Sequence, residues 1–225
     1  MIRGVLVAAV LGIGWPCRAQ EVKVLSPARI FPADGVASAA TLDVPLTDRI
    51  AAFRATHPKA RFAKRIVISK SRRRMDVFAD DTLLKSYIVN LGPEPEGAKQ
   101  LQGDGRTPEG DLYVCSVNRV SQFTRFLALA YPAPADGTRG ARSGLIDAKQ
   151  AQAIAAAWKT RKACPPQTTR LGGQVGIHGK GGWERRGGGY ALVDWTLGCI
   201  GLRDADILEL FQHYAEVGIP VHIAP

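Results

Sequence analysis

The chain has 225 residues, of which 46% are hydrophobic and 22% charged. That balance excludes wholesale disorder and leaves room for one domain of ordinary size with modest extensions. The formal charge is +10, which favours acidic surroundings; a solvated basic surface is the plainer alternative.

The N-terminus opens Met1-Ile2-Arg3, continues as an apolar run from Gly4 to Pro16, and reaches Cys17-Arg18-Ala19. This pattern predicts a signal peptide over residues 1–19, cleaved after Ala19, and hence a place in the periplasm or cell envelope. An exported protein meets acidic envelope polymers and lipid head groups rather than nucleic acid. The apolar run is too short to span a membrane. A retained membrane anchor is the alternative. A lipoprotein fits less well, because Trp15 and Pro16 precede Cys17. Loss of Cys17 leaves Cys115, Cys164 and Cys199, an odd number of thiols in an oxidising compartment. Cys115 and Cys164 can pair and leave Cys199 free. Three unpaired thiols, two of them buried, are the alternative.

Residues 20–63 read as a lead-in broken by Pro27, Pro32 and Pro45. Thr47 can cap a short helix there, through Ile50 and Phe53, before His57-Pro58 stops it. Three strands follow: Ile66-Val67-Ile68, Met75 to Phe78, and Ser86 to Leu91, closed by Gly92. They form a β-meander. Arg72, Arg73 and Arg74 lie between the first two and read as a solvated turn. Residues 92–110 are a Gly- and Pro-rich loop. Strand-like runs recur at Leu112–Cys115 and Phe126–Leu129. Asp147 can cap an alanine-rich helix that Pro165-Pro166 end. Val175 to His178 reads as a strand opening onto a loop with six glycines in the twelve residues from Gly179 to Tyr190. Asp204 can cap the last helix, with Ile207, Leu210, Phe211 and Tyr214 at i, i+3, i+4 and i+7. A final strand holds Val221-His222-Ile223.

Two residues stand where chemistry is done. His178 ends a strand at the mouth of the glycine-rich loop, whereas His57, His213 and His222 have the settings of surface or packing residues. Cys199 lies between Gly198 and Gly201 just ahead of a helix, where a positive partial charge would favour the thiolate. An imidazole can take the thiol proton, and the N–H groups of Gly198 and Cys199 can hold an oxyanion. The pair would carry out acyl transfer at an amide. A buried structural cysteine beside a satisfied histidine is the alternative on local features alone. No metal-ligand spacing and no phosphate loop occurs, so neither a metal nor another cofactor is expected.

The motifs also resemble a known family. Ile177-His178-Gly179, then Thr196-Leu197-Gly198-Cys199-Ile200 and a helix, are similar to the signature of the L,D-transpeptidase catalytic domain of the YkuD/ErfK type. Gly103-Asp104-Gly105-Arg106-Thr107-Pro108-Glu109-Gly110 resembles its upstream segment. The resemblance covers roughly residues 64–224 and implies a catalytic domain over 64–225, with a helical insertion around 133–170 as a lid or cap. It implies a mainly β fold with peripheral helices (α+β), built of two curved mixed sheets. It further implies that Cys199 attacks the diamino acid–D-Ala amide of a peptidoglycan stem tetrapeptide. The thioester would be resolved by a second stem, giving a 3→3 cross-link, or by a wall-linked or outer-membrane protein. A carboxypeptidase or amidase using the same pair is the alternative, and a non-catalytic wall-binding module a weaker one. Carbapenem-type β-lactams are the implied inhibitors. His178 would be oriented by the Gly179 carbonyl, and Thr196 would shape the nucleophile's turn. Trp195, Tyr190 and Arg203 are the candidate substrate contacts. Two positions depart from the pattern. Leu197 stands where many members carry a second histidine, and Gly201 where many carry Asn or Arg. The Asp194-Trp195-Thr196 run is closer to a proteobacterial subgroup.

Overall fold

The β-branched run at Ile66 becomes the centre of the fold. The computed structural model describes residues 44–58, 61–180 and 194–225, so the expected signal peptide, Cys17, Tyr190 and most of the glycine-rich loop lie outside the described residues. Strand β1 is Lys64–Ser69, β2 Arg74–Ala79 and β3 Thr82–Ile88. They pair antiparallel as the predicted meander. Then come β4 (Gly110–Ser121), β5 (Thr124–Leu129), β6 (Gly176–His178), β7 (Ile200–Gly201) and β8 (Pro220–Ala224). The spatial order is β3-β2-β1-β8-β4-β5-β6-β7. The pairs β1–β8 and β6–β7 are parallel and the others antiparallel. The arrangement is therefore mainly β, mixed and curled, as expected. Its two halves meet in β4, which pairs β8 through Gly110–Tyr113 and β5 from Val114 onward.

Ile66, Ile68, Val77, Ile177 and Ile200 pack into one core with the last helix, α4 (Asp204–Tyr214). All four residues of the predicted stripe, Ile207, Leu210, Phe211 and Tyr214, are buried. Arg203 rather than Asp204 holds the cap position, so α4 starts without a side-chain cap.

Three local expectations change. The lead-in helix α1 spans Leu46–Thr56, and Pro45, not Thr47, precedes it. Thr47 Oγ1 instead meets His213 Nε2 at 3.0 Å. The role of a cap falls to a distant side chain: Leu46 N–H donates to Glu209 Oε1 at 2.6 Å. The arginine turn is not solvated, because Arg73 and Arg74 are buried and paired with Asp194 and Asp76. The third strand begins at Thr82, four residues before the predicted start.

Two helices occupy the segment around 133–170: α2 (Pro134–Arg142) and α3 (Ala148–Thr160). Asp147 caps α3 as read, accepting from Gln150 N–H at 2.7 Å. Helix α2 escapes a propensity reading because it holds Gly137 and Gly140. Packing explains Gly140, while Gly137 has room for a methyl group in ordinary contact. A Cβ at Gly140 would stand 2.8 Å from Leu171 Cδ2, and one at Gly137 would touch Ile154 at 3.5 Å. Cys115 and Cys164 are bridged, tying β4 to the chain after α3 across a sequence separation of 49.

Two outcomes follow from these anchors. Glu209 also accepts from Lys85 Nζ at 2.7 Å and Tyr87 OH at 2.9 Å, joining α4, β3 and α1. Burial opposes its charge, but these donors outweigh it and hold its carboxyl below the usual range. Its contribution is thus present above the ordinary carboxylate pKa and fades as pH falls through the depressed one. Glu209→Ala is expected to cost about 2 kcal/mol in urea unfolding at neutral pH, and less in acid. Replacing Cys115 and Cys164 together by Ser is expected to cost about 4 kcal/mol by loop-closure entropy, read as a lower urea midpoint than in the oxidised protein.

Candidate active site

The site is built on the short parallel pair β6–β7. Ile177 lies opposite Ile200 and His178 opposite Gly201. Paired residues share a face, and so do residues two apart on a strand. Cys199 stands in the bend immediately before β7, next to the strand that pairs with that of His178. Both line a cleft of about 920 Å³, walled by Phe123, Phe126, Val175 and Trp195. Gly201 is held on both sides of its backbone, exchanging hydrogen bonds of 2.8 and 2.9 Å with Asn90.

His178 is 3% exposed. Its ring lies 4.6 Å from Phe123, 5.6 Å from Phe126 and 5.5 Å from Trp195. Burial in this aromatic box holds the imidazole below its usual range, while the Gly179 carbonyl and the Asp204 carboxylate pull the other way. Nδ1 donates to Gly179 O at 2.7 Å. A neutral ring so oriented carries its lone pair on Nε2. No carboxylate is needed to set the tautomer. Gly179 itself admits no side chain, because a Cβ would meet Asp204 Oδ1 and stand 3.0 Å from Phe123 O.

The nucleophile's segment is pinned from three directions. Arg73 Nε donates to Asp194 Oδ1 at 3.1 Å, and the same oxygen accepts from Leu91 N–H at 2.8 Å. Thr196 N–H donates to Leu91 O at 3.0 Å. Thr196 Oγ1 donates to Cys199 O at 2.8 Å and accepts from Gly198 N–H at 3.2 Å. Thr196 therefore closes the turn on itself. Gly198 takes φ +121°, and a Cβ there would collide with Arg106 O of the Gly-Asp-Gly-Arg loop. That contact brings the upstream motif to the nucleophile.

Two sequence-based expectations change here. The Gly198 N–H is engaged by Thr196, so of the two expected oxyanion donors Cys199 N–H is the one without a partner among the described residues. Helix α4 begins beyond β7, at Asp204, and does not start beside the thiol. Burial instead pushes the Cys199 thiol up to about 11, with the Gly176 backbone and Lys99 opposing. The residue keeps some exposed surface, and its Sγ donates to Gln174 O at 3.4 Å. The pair therefore rests as neutral thiol and neutral imidazole. The base must take the proton as the bond forms.

Trp195 lines the cleft and Arg203 does not: the Arg203 guanidinium forks onto Asp206 at 2.6 and 2.8 Å. Trp195 also accounts for Gly201. A Cβ at Gly201 would lie 3.0 Å from Trp195 Cζ2, so the indole fills the space a larger residue would need. Leu197 stands on the rim, 86% exposed. Sequence reasoning missed Lys99, Phe123 and Phe126 at this cleft. Phe126 was legible as a strand residue, but its pairing with His178 is not a local signal.

Iodoacetamide alkylation of Cys199, followed by mass, is expected to keep rising with pH past the ordinary thiol pKa of about 8.5 and to level only near pH 11. A plateau in the acid range would mean a resting thiolate instead. On the acid side, turnover is expected to persist below the usual imidazole pKa of about 6.5 and to fall only at the lowered value of His178.

The YkuD family model, L,D-transpeptidase catalytic domain, matches residues 63–223. No curated protein matches. Among solved structures, the helical cell shape determining protein Pgp2 from Campylobacter jejuni is 19% identical, with a TM-score of 0.48, covering 72% of this chain and 47% of its own. The L,D-transpeptidase of Xylanimonas cellulosilytica is 14% identical, with a TM-score of 0.40, covering 77% and 68%. L,D-transpeptidase 1 of Mycobacterium tuberculosis is 16% identical, with a TM-score of 0.36, covering 73% and 62%. The chain thus spans about half the length of the Campylobacter protein. With the family model matching most of its length, this chain belongs to the L,D-transpeptidase catalytic domain family.

Proposed function

We propose that the chain is an exported peptidoglycan L,D-transpeptidase that breaks the diamino acid–D-Ala amide of stem tetrapeptides through a thioester on Cys199. The observation that carries this reading is the one cleft at β6–β7 that His178 and Cys199 both line. Sγ attacks the amide carbon as His178 Nε2 takes its proton. The oxyanion draws on Cys199 N–H. Collapse of the tetrahedral intermediate expels D-alanine, whose nitrogen receives the proton from the imidazolium. The amine of a second stem, or of a wall-linked protein, then attacks the thioester and returns a proton to Nε2, and the thiolate leaves and is reprotonated. A resting neutral pair suits this order, since no stable thiolate waits to be oxidised. The signal peptide over residues 1–19 and a catalytic unit over 64–225 belong to the same proposal.

Incubation with purified disaccharide-tetrapeptide tests it. Cross-linked dimers with release of D-alanine are expected. Tripeptide monomers alone would assign a carboxypeptidase, and unchanged substrate would remove the enzymatic reading. Cys199→Ala is expected to abolish turnover with its melting curve unchanged. A carbapenem is expected to add its mass to the native protein and not to that variant.

A further inference from the structure

Among the described residues three lysines are buried, and two of them have structural work. Lys70 Nζ donates to Gly97 O at 2.7 Å, Glu109 Oε1 at 2.6 Å and Thr107 O at 3.4 Å, so all three donors are engaged. Lys85 Nζ bonds both oxygens of Glu209, at 3.0 and 2.7 Å, and lies 5.2 Å from the Tyr87 ring centroid. Lys99 differs. It is 3% exposed, and its recorded partner is Asp104 Oδ1 at 2.8 Å. Among the described residues nothing accepts its other two protons. A buried ammonium with idle donors is costly unless something else meets it.

Asp104 does not absorb the surplus. Its carboxylate also accepts from Gln100 N–H at 2.7 Å, Leu101 N–H at 3.0 Å and Arg106 N–H at 3.1 Å. These bonds serve the loop. Lys99 meanwhile lines the cleft and is the charged side chain among the described residues that do so, His178 being neutral. Its Nζ would lie 3.7 Å from a Cβ built on Gly198, next to the nucleophile.

We propose that Lys99 is a carboxylate-binding residue, which receives the free C-terminal carboxylate of the residue that leaves. The inference rests on the proposed reaction. In a donor peptide whose last residue is expelled, one carbon separates the scissile nitrogen from the terminal carboxylate. An anion must therefore sit within a few ångströms of Sγ, in a cleft with aromatic walls. An ammonium beside Gly198 pairs with it, and the idle donors are the ones it uses. The consequence is a choice of donor: a stem ending one residue beyond the scissile bond is selected, and one whose terminus is blocked or extended is refused.

The test compares the disaccharide-tetrapeptide with its C-terminal carboxamide. Binding is measured on Cys199→Ala by titration calorimetry, so that the result does not depend on turnover. The free acid is expected to bind about tenfold or more tightly than the amide, and Lys99→Met on that background is expected to bring the ratio to about one. Equal binding of acid and amide before the lysine is changed overturns the proposal. So does a ratio that survives Lys99→Met, or a loss of affinity equal for both ligands, which would place the cation on the shared amide. Should Lys99→Met fail to fold, Lys99→Met with Asp104→Asn removes both charges and leaves no orphan carboxylate. A preference for the acid without any turnover by the native enzyme would sink the proposed reaction and leave the carboxylate site standing.

Discussion

The register of β6 against β7 decides where the reactive side chains stand. His178 lies opposite Gly201, and Cys199 occupies the bend that leads into β7, so the pairing sets the two residues beside one cleft. A slip of one residue would change which residue of β7 lies opposite His178 and shift the bend that carries Cys199. The short pair is protected against that slip. Asn90 clamps Gly201 by two hydrogen bonds, and Leu202 N–H donates to His178 O at 2.8 Å. The indole of Trp195 packs over Gly201 and meets the imidazole edge to face.

Three stretches far apart in sequence converge on this pair. Asp194 is held by Arg73 from the first β-turn, and Thr196 by Leu91 at the end of the meander. The Gly-Asp-Gly-Arg loop, knotted by Asp104, presses its Arg106 carbonyl under Gly198. Rigid strands thus carry a nucleophile on a turn that the surrounding chain over-determines. The electrostatics follow from the same packing. Burial pushes the thiol up and the imidazole down, and the aromatic box that lowers His178 also walls the cleft. Lys99 is the basic side chain among the described residues that line this wall.

Much of the frame was readable from local pattern. The β-branched run at Ile66 became β1, the run from Met75 to Phe78 became β2, the i, i+3, i+4, i+7 stripe became the buried face of α4, and Asp147 capped α3. What escaped shares one cause. The arginine turn looks solvated by composition, yet Arg73 meets an aspartate 121 residues away. Helix α2 looks unfavourable by propensity, yet its Gly140 admits Leu171. Thr47 looks like a cap, yet Glu209 reaches Leu46 first. Each depends on a partner that no window of sequence contains.

The sequence by itself determined the family motifs, the identity of the candidate nucleophile and base, and the strand-and-helix alternation around them, because these rest on residue type and short spacing. Only the tertiary structure decided the rest. It closed the Cys115–Cys164 bridge, engaged the Gly198 N–H with Thr196, turned Arg203 onto Asp206, and left Lys99 buried with donors to spare. The reason is physical: burial, hydrogen-bond partners and charge are properties of neighbours in space, and the curled sheet chooses those neighbours.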